Sequence, residues 1–374
     1  MRFSDGRCKA STLTDREGQL LVWRERSTAS TVFRDSQVST KPSISVVVPT
    51  WNRADLLPAT LASILKQDSP PSEVIVVDDG SEDNTAALLE EYKSKGIRSI
   101  RIANSGDLRA RNVGLEAATG TLVAFCDSDD LWKPNFLSTA MSCWREVPDL
   151  CAVYSDFQIV RSGTWEASTK FDAAPPEFWK GMREVGKGLF VFDFPIADRL
   201  VTYQPFFPSA LVADRSFLLR AGGWDEGTAG LIGRDFATAM RIAEYAPLGV
   251  LCRPLVGIRK HTSNDSGDVL AMNLGDSQVL EYILRTRPSM SSYTAAFEAS
   301  MIERRRGALD IAFARKNFEL VGDIAKLLPP NSLSGLNKVK TFTSALPEPL
   351  RRTLAEGLMM MGTVKSRLID RKKS

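Results

Sequence analysis

The feature that most restricts this chain is a regular alternation of short apolar runs and amphipathic stretches between residues 44 and 127. ISVVVPT (44–50), EVIVVDD (73–79), RSIRIAN (98–104) and TLVAFCD (121–127) have the length and branched apolar content of buried strands. Between them, ADLLPATLASILKQ (54–67), NTAALLEEYKSKG (84–96) and LRARNVGLEAATG (108–120) carry apolar residues at helical spacing. The last two end on a glycine suited to a helix C-cap. Strand and helix in turn at this spacing specify crossover units, hence an α/β fold with a mostly parallel sheet flanked by helices.

After Pro134 the rhythm changes. LCAVYSDFQIV (150–160) reads as one or two strands and residues 161–200 as an irregular, aromatic-rich insertion. PSALVAD (208–214) is strand-like, DFATAMRIAEYA (235–246) helical and LVGIRKH (255–261) a late strand. From about residue 271 the pattern is helical only. IERRRGALDIAFARKNFELVGDIAKLL (302–328) predicts two helices around a turn near Lys316–Asn317, and a last amphipathic segment runs from Pro349 to Lys373. Residues 1–40 are rich in Ser, Thr and Arg. They read as a partly disordered extension with one strand at Leu20–Trp23.

Charge is unevenly spread. Residues 1–270 hold 31 Lys and Arg against 35 Asp and Glu, whereas residues 271–374 hold 17 against 10. The basic C-terminal segment lacks interleaved aromatics and the candidate site is acidic, so a nucleic-acid partner is not expected. Five cysteines without CxxC spacing argue against a disulfide framework and for a reducing compartment. No apolar run approaches the ~20 residues needed to cross a bilayer, and MRFSDGRCKASTL has no apolar signal core. These features predict a cytoplasmic protein.

Carboxylates gather where the predicted strands end. Asp78 and Asp79 close the second strand, and Asp127, Asp129 and Asp130 lie at or just past the end of the fourth. In open parallel sheets, ligands bind outside the carboxyl ends of the strands. Two acidic loops meeting there point to a divalent cation, and a hard cation with oxygen ligands is what a diphosphate needs to neutralise it. Helix capping explains one acid per loop, as at Ser81 or Asp83. It does not explain Asp-Ser-Asp-Asp in a row at 127–130.

Seven segments then fall in one order: VVVPTWNR (46–53), VVDDGSEDNT (76–85), NSGDLRARNVG (104–114), FCDSDDLW (125–132), GGWDE (222–226), GRDFATAMR (233–241) and RKHTSNDS (259–266). Together they resemble a family 2-type glycosyltransferase, from Ile44 to about Ser266, about 60% of the chain. The resemblance implies a GT-A-type, Rossmann-like catalytic domain over 41–270, with a basic helical region at 271–374 and the extension at 1–40. It implies an inverting transfer of sugar from a nucleotide diphosphate donor, UDP-sugar favoured, to an acceptor hydroxyl in polysaccharide or glycoconjugate assembly.

By the same resemblance, Thr50 and Asp79 hold the nucleotide base with Arg111 nearby, and Asp127 sits near the ribose. Asn52 and Ser128 complete the nucleotide-sugar set. Asp129 binds the metal, Mn2+ or Mg2+, with His261, the chain's single histidine, as a further ligand. Asp235 is the general base; Trp224, Asp225 and Arg234 lie on the acceptor side. One departure stands out: the family commonly has Glu-Asp where this chain has Arg234-Asp235.

Three alternatives stay open. A nucleotidyltransferase also uses nucleotide and metal on an α/β sheet, although the loop PTWNRAD is not a glycine-rich phosphate loop. A non-enzymatic nucleotide-sugar-binding partner of another transferase is compatible with Arg234. The tail from Leu350 reads as a helix packed on the catalytic domain with a solvated basic face, the alternative being peripheral contact with anionic lipid at the inner face of the membrane, which suits a lipid-linked saccharide acceptor.

Overall fold

The computed structural model describes residues 42–186, 188–261 and 267–370, with side chains through Met360. The extension at 1–40 with its expected strand at Leu20–Trp23, residues 262–266 of the last motif and the closing Arg371–Lys373 lie outside the described residues. The chain forms two compact units. One comprises the residues up to Glu226 with Thr238–Lys260, the other Gly227–Ala237 with His261 onward.

The predicted alternation is present. β1 (Ile44–Thr50), α1 (Leu57–Leu65), β2 (Glu73–Asp78), α2 (Thr85–Lys93), β3 (Ile97–Arg101), α3 (Asp107–Ala117) and β4 (Leu122–Phe125) follow in turn. Then come β5 (Leu131–Trp132), α4 (Phe136–Glu146), β6 (Ala152–Arg161), β7 (Thr164–Thr169), β8 (Arg183–Gly186), β9 (Leu189–Phe192) and α5 (Ala197–Leu200). β10 (Leu211–Asp214), α6 (Arg215–Arg220), α7 (Asp235–Ile242) and β11 (Leu248–Lys260) complete the sheet region. The helices α8 (Val269–Thr286), α9 (Thr294–Ala314), α10 (Phe318–Lys326), α11 (Gly335–Ser344) and α12 (Leu350–Asp370) follow.

The sheet runs β3-β2-β1-β4-β10-β6-β11-β9-β8, with β5 on β11 and β7 on β6. β3, β2, β1 and β4 are parallel, as are β6 and β11, and β10 is antiparallel to both its neighbours. The chain leaves β1 toward β2 and β3, then returns through α3 to β4 on the other side of β1. That reversal makes a crevice between the carboxyl ends of β1 and β4, where open α/β sheets bind ligands.

Continuous apolar runs form these strands because both faces are covered. Val46 and Val48 share a core with Leu57, Leu61 and Ile64 of α1 and with Val74 and Val76 of β2. On the opposite face, Ile75 and Val77 pack with Ala110 of α3 and with Ala118. α3 comes so close to β1 that a Cβ at Gly114 would lie 2.2 Å from Val47 Cγ1.

The stretch read as an irregular insertion is more regular than its sequence implied. It holds β7, β8 and β9, of which β7 folds back on β6 through Ser162 and Gly163, both at positive φ. Its aromatics obscure any strand period because they serve as core: Phe171 lies 4.8 Å and Phe178 4.6 Å from Trp179. β11 begins earlier than the predicted 255–261 because its pairing with β6 shifts register around Pro254, which interrupts the pattern. Cys126, Cys143 and Cys151 are free.

Asp156 is buried in β6, where one carboxylate oxygen accepts from the amides of Phe157 (2.8 Å) and Phe171 (3.0 Å). Burial outweighs these bonds and pushes its carboxyl up to about 6.

Two outcomes follow for stability. Gly114→Ala lowers stability by about 1–3 kcal/mol through overpacking against Val47, despite alanine's helical advantage of ~1 kcal/mol; an unchanged or raised melting temperature would contradict that contact. Folded Asp156 holds its proton more tightly than the unfolded chain does. Its native form is therefore most favoured below the ordinary carboxylate range and loses that advantage as pH rises through about 6. Urea unfolding from pH 4 to 7 should show Asp156→Asn gaining on the parent across that window, by at most about 3 kcal/mol, because the amide keeps the Oδ1 acceptor without the charge.

Candidate active site

The crevice at the switch point is lined from three loops. Thr50 closes β1 at its carboxyl end, and its Oγ1 is buried with no hydrogen-bond partner among the described residues. Its carbonyl accepts from Asp79 N at 2.9 Å, tying the ends of β1 and β2. The Asp79 carboxylate accepts from Ser105 N (2.7 Å) and Gly106 N (2.8 Å) at the start of α3, a favourable place for negative charge. Asp78 faces inward, accepting from Ser81 N and Arg101 Nη1 at 2.9 Å each. Between them the turn requires glycine: at Gly80 (φ +74°) a Cβ would meet Asn104 N at 2.9 Å.

Asn52 sits in the left-handed region at φ 50°. Its side-chain oxygen accepts from Glu82 N (2.7 Å) and Asp83 N (3.3 Å), so it clamps the β1 loop to the β2 loop.

β4 ends in the acidic turn, where Asp130 N donates to Asp127 O at 3.0 Å. Asp127 Oδ1 accepts from Arg111 Nη2 at 2.7 Å, and Arg111 also pairs with Asp107. The guanidinium lies over the ring of Trp224 at 4.7 Å. Burial disfavours its charge, but Asp127 and Asp107 outweigh that and raise its pKa above the ordinary arginine value. Burial also pushes Asp127 above the usual carboxylate range; Arg111 pulls it back and Asp129 adds to the rise.

Asp130 is a structural acid. It accepts from Ser209 Oγ (2.5 Å) and Arg259 N (3.1 Å), and burial with the charges of Asp129 and Asp127 pushes its carboxyl well up. Ser128 is buried, and its carbonyl accepts from Thr60 Oγ1 at 2.8 Å. Arg259 donates to the Asp129 carbonyl, to Leu56 O (2.9 Å) and to Thr60 Oγ1 (2.7 Å), fastening this turn to α1 and its approach. The Asp129 carboxylate, 18% exposed, stands 4.0 Å from Arg53 Nε.

No group of three or more His, Cys, Asp and Glu side chains converges as a metal cage among the described residues. The donor set nevertheless fits a diphosphate-bound cation, because Mg2+ is usually held by one or two carboxylates plus phosphates and waters. Asp129 lies between Asp127 and Asp130, two further acids of like charge.

Thr50, Asn52, Asp79, Arg111, Asp127, Ser128 and Asp129 thus sit at the ends of β1, β2 and β4 and on the adjoining α3. Trp224 is buried, with its ring against Arg111 and edge-on to Phe125 at 5.0 Å, so it supports the guanidinium rather than offering a face to a sugar. Asp225 is a staple: its carboxylate pairs with Arg241 at 2.7 Å while Arg241 holds the carbonyls of Gly222 and Gly223. In the second unit, Asp235 is the first residue of α7, Arg234 precedes it and receives a bond from Thr228 Oγ1 on its carbonyl (3.1 Å), and His261 follows β11. Sequence reasoning missed Ser209, which ties Asp127 N (2.9 Å) to Asp130 from a loop about eighty residues away and carries no local signal. Arg53 and Arg259 lay inside motifs already singled out, but nothing in their spacing marked them as neighbours of Asp129.

Arg111→Met leaves Asp127 and Asp107 without their counter-charge. The expected loss is about 2–3 kcal/mol in urea unfolding, at or below the low end for a broken buried pair because Asp127 keeps some solvent. A loss no larger than an exposed pair's, about 1 kcal/mol or less, would show that this pair does not hold the turn.

Residues 45–197 match Glycosyl transferase family 2. The putative teichuronic acid biosynthesis glycosyltransferase TuaG of Bacillus subtilis is 40% identical over 109 residues, 28% of this chain and 43% of that protein. The UDP-Glc:alpha-D-GlcNAc-diphosphoundecaprenol beta-1,3-glucosyltransferase WfgD of Escherichia coli is 30% identical over 122 residues, 32% of this chain and 48% of that protein. The matches thus span less than half the length of these relatives. Among solved structures, S. aureus TarS 1-349 in complex with UDP-GlcNAc has the same fold, with a TM-score of 0.57 at 19% identity, covering 84% of this chain and 92% of that one. On their ordered motifs and these matches, residues 45–197 form a family 2-type glycosyltransferase segment, within a chain that shares the GT-A fold of that solved structure.

Proposed function

We propose that this chain transfers a glycosyl group from a nucleoside diphosphate sugar to an acceptor hydroxyl with inversion at the anomeric carbon. The observation that carries the reading is the crevice between β1 and β4, where the unpartnered Thr50 hydroxyl, the Asp127–Arg111 pair and Asp129 line adjoining strand ends. Thr50 and Asp79 take the base, Asp127 the ribose, and Asp129 stands where a diphosphate-bound cation is needed, with His261 as a further ligand. Mn2+ or Mg2+ in this place supplies Lewis-acid neutralisation of the departing diphosphate. Asp235 takes the acceptor's proton as general base, its role resting on the motif GRDFATAMR. Direct displacement with a separate base needs no covalent intermediate, hence inversion.

Uridine is the favoured base and a lipid-linked saccharide the favoured acceptor, as in the donor and acceptor named for the E. coli relative. No helix among the described residues is long and apolar enough to cross a membrane. Arg234 beside Asp235 favours a second reading, a nucleotide-sugar-binding partner without turnover, since a neighbouring cation lowers a carboxylate's basicity.

One experiment separates the two. UDP-, TDP- and GDP-sugars with Mn2+ are screened by thermal shift and then by donor turnover. UDP-sugar should raise the melting temperature, a ligand at a hundred times its Kd stabilising by about 2.7 kcal/mol. Asp129→Asn should lose the metal-dependent part of that shift. Asp235→Asn should keep the shift and lose about 10²–10⁴-fold in transfer. A shift with no turnover in the parent establishes the binder; no shift with any donor ends both readings.

A further inference from the structure

Helix α11 is built with its polar side inward. Asn337, Thr343 and Ser344 are buried, and Asn337 donates to Asp310 at 2.8 Å. Leu336, Val339 and Phe342 face solvent, Phe342 at 67% exposure. At 100° per residue these three span an arc of about 120°, opposite buried Asn337 and Ser344. α12 packs an apolar side inward and also carries apolar residues on its outer side. Ala355 is buried, and Leu358 and Met359 pack against the core formed with Leu309, Phe313 and Val321, while Leu350, Leu354 and Met360 are exposed, Met360 at 70%. The sequence carries the spacing onward, with Leu350, Leu354, Gly357, Met361, Val364 and Leu368 separated by four and three residues in turn. Two successive helices therefore turn apolar residues away from the core they already have, an arrangement that marks a binding surface.

Charge selects the occupant. Residues 334–374 hold nine Lys and Arg against three Asp and Glu. A second copy of this chain seated on the same face brings like charge against like, whereas an anionic lipid surface complements both the cations and the apolar stripe.

We propose that α11 and α12 form an interfacial helix pair that seats the second unit on an anionic membrane surface. The exposed leucines, Phe342 and Met360 enter the boundary between headgroups and acyl chains, and the net positive charge of residues 334–374 draws them to the lipid phosphates. This deepens the reading of a lipid-linked acceptor but rests on the helix surface alone, so it can fail without the donor chemistry failing.

The test is co-sedimentation of the full chain with vesicles of phosphatidylcholine containing one-third phosphatidylglycerol, beside vesicles of phosphatidylcholine alone. Binding to the anionic vesicles should be at least about tenfold stronger and should weaken as salt rises. The triple variant Phe342→Glu, Leu354→Glu and Met360→Glu should lose at least about tenfold of that binding, with melting temperature and donor-induced thermal shift unchanged. Equal binding to both vesicle types, or unchanged binding of the triple variant, overturns the proposal. So does a dimer in light scattering that the triple variant dissolves, which would give the surface to a second copy.

Discussion

Three carboxylates within four residues at the end of β4 repel one another, and the structure around the crevice is organised to hold them there. The opposing charge is not local. Arg111 reaches Asp127 from α3, and Arg259 reaches the carbonyl of Asp129 and the carboxylate of Asp130 from the end of β11. Ser209, just before β10, ties the amide of Asp127 to the carboxylate of Asp130. The strand order that sets β4 between β1 and β10 is what lets these distant groups meet one turn. Of the three acids, Asp130 is consumed by structure and Asp127 is committed to Arg111. Asp129 stands 4.0 Å from Arg53 Nε on the same turn.

Much of this was legible in the sequence, for one reason. A parallel sheet covered on both faces needs unbroken apolar strands, and such strands announce themselves in a single chain, as ISVVVPT and EVIVVDD do. Once strand ends are located, acids placed there are legible too. The second half of the sheet was less so. β7 to β9 alternate with aromatic core residues that mask their period, and β11 is broken by the register shift at Pro254.

What sequence could not separate is an acid that binds from an acid that braces. On spacing alone Asp78, Asp79, Asp83, Asp129, Asp130 and Asp225 look alike. Their partners decide the matter: Asp83 accepts from Ala54 and Thr85 amides, and Asp225 closes on Arg241. Trp224 belongs to the same class. Its motif read as an acceptor-side turn, yet the ring is committed to Arg111 and Phe125. The contacts of that ring are made over about a hundred residues of sequence and leave no local pattern.

Packing and chemistry also share one element in α3. Its N-terminal approach supplies the amides that hold Asp79, its first turns carry Asp107 and Arg111, and Gly114 lies one turn further on against Val47. The 2.7 Å bond from Arg111 to Asp127 therefore depends on how closely α3 approaches β1, and only a residue without a Cβ permits that approach. A side chain at 114 must either move Val47 or lift the helix, and lifting the helix draws the guanidinium away from the acidic turn. A glycine that makes no contact with any ligand thus sets the distance on which the charge balance of the crevice rests.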